Sequence, residues 1–162
     1  MQNNLQPLSN IRDIVIRVNS NSTGIFSRIP ELIAVLGSDI SRIIGDDRVH
    51  ISEFIVAKIN GRIPQFNGHP EITDDILLQL PFNLSNPLRI LVDRRNDRKY
   101  LFAASSPGHI IVVEIKRLET GKTEINTVYP VGEKEQRRLG KFPIAYCSDS
   151  GGTPTPSCMP HP

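Results

Sequence analysis

The chain has 162 residues, of which 38% are hydrophobic, 22% charged and 6% aromatic, with no Trp and a formal net charge of +2. That is enough for one domain with a sizeable core. No apolar stretch approaches the ~18–20 residues of a membrane span, and the first twenty residues lack the basic-then-apolar pattern of a secretory leader. Residues 1–10 are polar and predict a frayed start. From Ile11 to Val18, Ile14, Ile16 and Val18 alternate with Asp13 and Arg17, which predicts a strand. Asn19–Gly24 is turn chemistry. Ile29, Leu32, Ile33, Leu36, Ile40, Ile43 and Ile44 stand at helical spacing and predict an amphipathic helix over 29–44, with Pro30 in its first turn and Gly45-Asp46-Asp47 as its stop. Val49 and Ile51 predict a short strand, and Ser52 then caps a helix that runs to about Asn60 and ends at Gly61.

Gly68-His69-Pro70-Glu71 predicts the opening of a helix over 71–80, with Glu71, Asp74 and Asp75 at its positive end and Pro81 and Pro87 barring its continuation. Four strands are predicted next, at 88–93, 99–104, 109–116 and 123–131. Their connections are of hairpin length, which gives an antiparallel meander. Residues 133–140 predict a last short helix. The two cysteines, Cys147 and Cys158, lie in a Pro/Ser/Gly-rich tail and exclude a disulfide framework. The expected class is α+β, with a helix packed on a four-stranded antiparallel sheet. The expected division is a small α/β extension over 1–45, the main domain over 46–146 and a disordered tail over 147–162.

Charge is unevenly spread. Residues 1–85 carry seven Lys/Arg against nine Asp/Glu, whereas residues 86–141 carry twelve against seven. The second half therefore presents a basic surface of the kind a polyanion can use. No phosphate-binding Gly-x-x-x-x-Gly-Lys-Ser/Thr loop, Gly-x-Gly-x-x-Gly or Gly-x-Ser-x-Gly is present.

The segments Val49-His-Ile-Ser-Glu, Lys58-Ile, His69-Pro-Glu-Ile, Asn86-Pro before the first strand of the meander, and Ile125-Asn-Thr-Val-Tyr-Pro-Val together resemble the phage-associated nucleases of the barnase, EndoU, colicin and RelE-like superfold. The resemblance covers roughly half of the chain, within residues 49–131. It implies a helix followed by a four-stranded antiparallel sheet, and a toxin-like endoribonuclease that needs no metal or other cofactor. It also implies an RNA substrate, an immunity protein or antitoxin in the producer, no membrane association, and work in the cytoplasm, the chain's own or that of a target cell.

Such a reaction needs a group to move the 2′-hydroxyl proton, cations to hold the phosphorane charge and a hydroxyl to orient the phosphate. His69 is the first candidate for proton transfer. Its alternative is a surface turn cap. Thr127 shares a strand face with Ile125, Tyr129 and Val131 and is a candidate to orient phosphate, or simply a good strand former. Arg95 and Lys116 are candidates to hold charge, with Lys58, Arg94, Lys99, His109 and Tyr129 as substrate contacts. A solvated hairpin is the plainer reading of the arginines. A rival reading takes Asp93, Glu114 and Lys116 as the Asp…Glu-x-Lys pattern of a metal-dependent nuclease. A non-catalytic protein-binding module is the alternative from another class.

Overall fold

The computed structural model describes residues 8–66, 68–105 and 108–148. The tail expected over 147–162 lies outside them except for Cys147 and Ser148. Residues 11–20 form a helix, α1 (Ile11–Ser20), rather than the expected strand. Two spacings compete there and the helical one wins. Ile11, Ile14, Val15 and Val18 fall at i, i+3, i+4 and i+7 and are all buried, whereas Ile16 is 53% exposed. Asn10 caps the helix by accepting from the Arg12 amide.

The helix expected over 29–44 is two elements. Strand β1 (Glu31–Val35) buries three consecutive residues, Leu32, Ile33 and Ala34, and helix α2 covers only Ser38–Ile44, capped by Gly37 in extended conformation. A run buried on both faces of a sheet carries no alternation, so it fits a helical pattern as readily. Strand β2 (Arg48–Ile51) and helix α3 (Glu53–Ile59) follow as expected, with the Ser52 hydroxyl accepting from the Ile55 amide. Arg17 pairs with Glu31 at 2.5 Å and with Glu53 at 3.1 Å, tying α1 to β1 and α3.

Helix α4 (Asp74–Leu78) starts three residues later than expected, after Thr73, and Pro81 does not stop helical structure. It sits in the first turn of α5 (Leu80–Ser85), where a missing amide costs little. The meander is as expected: β3 (Arg89–Asp93), β4 (Arg98–Ser105), β5 (His109–Arg117) and β6 (Thr123–Pro130), then α6 (Glu133–Leu139). A further strand, β7 (Ile144–Cys147), pairs with β3.

The α+β class holds, but the sheet is mixed and has seven strands rather than four, in the order β1-β2-β6-β5-β4-β3-β7. All neighbours are antiparallel except β2 and β6, which are parallel and share one residue pair, His50 with Glu124. Helices α1 to α5 cover one face through a core that runs from Ile11 to Val128. The other face carries a smaller cluster of Leu91, Tyr100, Phe102, Val112 and Tyr129 under Leu139 of α6. No helix among the described residues is long and apolar enough to cross a membrane.

Candidate functional site

Register decides which side chains meet on the face that α6 covers only in part. Arg98 lies opposite Lys116, Tyr100 opposite Glu114, and Glu114 opposite Thr127. A bulge between Glu114 and Ile115 adds one residue to β6, so Asn126 also turns to this face and its Nδ2 donates to Glu114 Oε2 at 2.7 Å. Arg98 Nη1 donates to Glu114 Oε1 at 3.1 Å. Glu114 is only 7% exposed, and both carboxylate oxygens are held by donors, as a buried charge requires.

Helix α3 packs on β6 beside the single β2–β6 pair, and from there Lys58 feels the charges of Lys116, Glu114, Glu124 and Arg98. Burial holds the Lys58 ammonium below its ordinary value, reinforced by the like charge of Lys116 and opposed by Glu114 and Glu124. Among the described residues neither Lys58 nor Lys116 has a carboxylate within ion-pair distance.

Two glycines place His69. Gly61 follows α3 at φ +79°, the left-handed region, and Gly68 packs so close to it that a Cβ at 68 would stand 2.5 Å from the Gly61 nitrogen. The His69 amide then donates to the Ile59 carbonyl at 2.9 Å, and its ring lies 6.0 Å from the Tyr129 ring, centroid to centroid. Arg138 of α6 reaches the same place, its Nη2 donating to the Tyr129 hydroxyl at 2.9 Å. Burial pushes the Tyr129 phenol up, against the pull of Arg138. His69, Glu71, Tyr129, Pro130, Glu135 and Arg138 line a cavity of about 370 Å³.

Five of the sequence-derived residues therefore meet around one face and its rim: Lys58, His69, Lys116, Thr127 and Tyr129. The others stand apart. Arg94 and Arg95 are exposed on the β3–β4 turn. Lys99 lies opposite Ile115, on the helix-covered face, with its ammonium 3.1 Å from Asp97. His109 is exposed at the start of β5, five residues or about 17 Å along the strand from Glu114.

Asp93 caps its own turn, accepting from the Asn96 side chain at 2.8 Å and its amide at 3.3 Å, bonds that hold its carboxyl below the usual range. Strand β4 separates it from Glu114, about 10 Å across two strand spacings. Among the described residues no group of three His, Cys, Asp or Glu is placed to hold a metal ion.

Asn126, Glu135 and Arg138 are not among the sequence-derived candidates; Arg98 stands there only as part of the charged hairpin with Arg94, Arg95 and Lys99, and Glu71 only as an upstream carboxylate in the metal-dependent reading. Arg98 alternates with Tyr100 along β4, a weak signal, and Glu71 belongs to the His-Pro-Glu-Ile segment. Asn126 belongs to the Ile125-Asn-Thr-Val-Tyr-Pro-Val segment, and nothing local marks Arg138. No family model, curated protein or solved structure matches the chain.

Proposed function

We propose that the chain is an endoribonuclease that needs no metal and cleaves RNA by attack of a ribose 2′-hydroxyl on the adjacent phosphate. The supporting observation is the convergence of His69, Tyr129, Arg138 and Lys58 with the Arg98–Glu114–Asn126 group and Lys116 on a partly open sheet face. An imidazole can accept and donate a proton, and His69 fills that role at the rim. Glu114, held in place by two donors, is the second proton-accepting group. Lys58, Lys116 and Arg138 supply positive charge where the phosphorane develops it. The Tyr129 hydroxyl accepts from Arg138, which leaves its own proton to donate to a phosphate oxygen, and Thr127 lies beside Glu114 to do likewise.

In the reaction the 2′-oxygen loses its proton to the base and bonds to phosphorus. The bond to the 5′-oxygen breaks, and that oxygen takes its proton from the imidazolium form of His69, with Glu114 as the base that accepted the 2′-hydroxyl proton. The products are a 2′,3′-cyclic phosphate and a 5′-hydroxyl.

Purified protein incubated with total RNA and with plasmid DNA, each with Mg²⁺ and with EDTA, tests this reading. RNA is expected to be cut in EDTA with cyclic-phosphate ends, and His69→Ala is expected to lose about 10²–10⁴ of the rate. Cleavage only with Mg²⁺ would move the chemistry to another site. Cleavage of neither substrate would favour a binding module.

A further inference from the structure

We propose that the cavity beside Phe66 is a subsite that takes one base of a single-stranded RNA, next to the reacting phosphate. The proposal rests on the ribonuclease reading, since it names where a flanking nucleotide goes. Phe54 and Lys58 are four residues apart on one face of α3. The Phe66 ring stands edge-on to Phe54, centroids 6.1 Å apart, and the Lys58 ammonium lies 5.5 Å from the Phe66 centroid. At the other end the Arg28 guanidinium lies 3.8 Å from the Phe54 centroid. The result is a ridge that reads cation, aromatic, aromatic, cation.

A cavity of about 440 Å³ opens beside this ridge, floored by Phe26 and Ile63, with Gln65 at its edge. No acidic side chain lines it, and neither Arg28 nor Lys58 is ion-paired among the described residues. Phe66 is 44% exposed, which leaves part of its ring open to a ligand. Every base has a π-face that can stack on such a ring, while phosphates on either side meet the cations. Lys58 links the ridge to the candidate site, because its ammonium lies over the Phe66 ring and also feels the charges of Glu114 and Lys116. A chain lying across the sheet face would pass Lys58 and reach the ridge with its next nucleotides.

The test uses a labelled all-2′-deoxy hexanucleotide, which has no 2′-hydroxyl to react, together with a hexanucleotide RNA and a dinucleoside monophosphate as substrates. Wild-type protein is compared with Phe66→Leu, which keeps apolar bulk against Phe54, and with Phe66→Tyr, which keeps the ring. Thermal melting of each variant checks that it folds. Phe66→Leu is expected to weaken hexanucleotide binding about tenfold, the scale of one lost stack. It is also expected to erase the preference in kcat/KM for the hexanucleotide RNA over the dinucleotide, while Phe66→Tyr retains both.

RNA cleavage with Phe66→Leu identical to wild type overturns the subsite and leaves the ribonuclease reading standing. Binding lost in Phe66→Leu, in a protein that cleaves nothing, keeps the subsite and overturns the ribonuclease. A folded protein that neither binds nor cleaves overturns both, and a protein segment becomes the better occupant of the cavity.

Discussion

Gly68 holds the candidate proton carrier in place through what it lacks. A Cβ there would lie 2.5 Å from the Gly61 nitrogen and 2.6 Å from its Cα, and neither backbone atom can swing aside. Gly68→Ala is therefore expected to push the 68–69 segment off α3. The cost in stability is about 1–3 kcal/mol, and RNA cleavage should fall further than that loss explains, because His69 moves with the backbone. An unchanged melting temperature and unchanged cleavage would show that the close approach does not place His69.

His50 acts at the opposite junction. It is 3% exposed, and its Nδ1 lies 3.0 Å from the Thr123 carbonyl. Burial lowers its pKa, outweighing the pull of that carbonyl, with Lys122, Arg48 and Asp46 as the nearby charges. In the unfolded chain the imidazole keeps its ordinary value of 6.5. Below that pH the unfolded state takes up a proton that the native state refuses, so the contribution present above 6.5 is lost as pH falls through the native value. Glu124 works the other way. Its carboxyl is raised by burial, and its contribution fades as pH rises from 4.5 through the raised value. Comparing wild type with His50→Gln isolates the histidine. The drop in melting temperature between about pH 7 and pH 5 should be smaller in the variant, and equal drops would remove His50 as the cause.

At the scale of elements, α6 is a short helix whose worth lies in one side chain. Leu139 is fully buried over Leu91, Tyr100, Phe102, Val112 and Tyr129, and the same helix carries Arg138 to the Tyr129 hydroxyl. Leu139→Ala is expected to cost about 2–5 kcal/mol and to loosen Arg138, which denaturant titration and RNA cleavage would show together. A loss below 1 kcal/mol would mean that α6 is not anchored there.

The meander was legible in the sequence because turn chemistry bounds each of its strands, as at Asp93–Asp97, where Asp97 takes φ +52°. Strand β1 was not, since Leu32, Ile33 and Ala34 fit either period. Strand β7 is four residues long and gives too little pattern to read. The site was legible where a residue stands in a marked segment, as His69 does. It was hidden where cross-strand register and a bulge bring Arg98 and Asn126 to Glu114, because no local spacing encodes either.

At the scale of the whole molecule, one core joins α1 and β1 to the meander, and the candidate site straddles a seam within it. Lys58 and His69 come from the side of β2 and α3, and Glu114, Lys116 and Tyr129 from the meander. The two sides of the sheet meet at the single parallel pair of β2 with β6, beside a hydrogen bond between residues 73 apart in sequence. Chain-entropy cost rises with such separation, whereas each hairpin of the meander closes locally. The meander is thus expected to form first and the seam last. In refolding experiments, amide protection in β4 and β5 should precede recovery of RNA cleavage, and recovery that came first would reverse this order. A chain that has reached only the meander holds the carboxylate and no histidine beside it, so on the proposed ribonuclease reading a newly made or half-unfolded molecule would leave the RNA around it uncut.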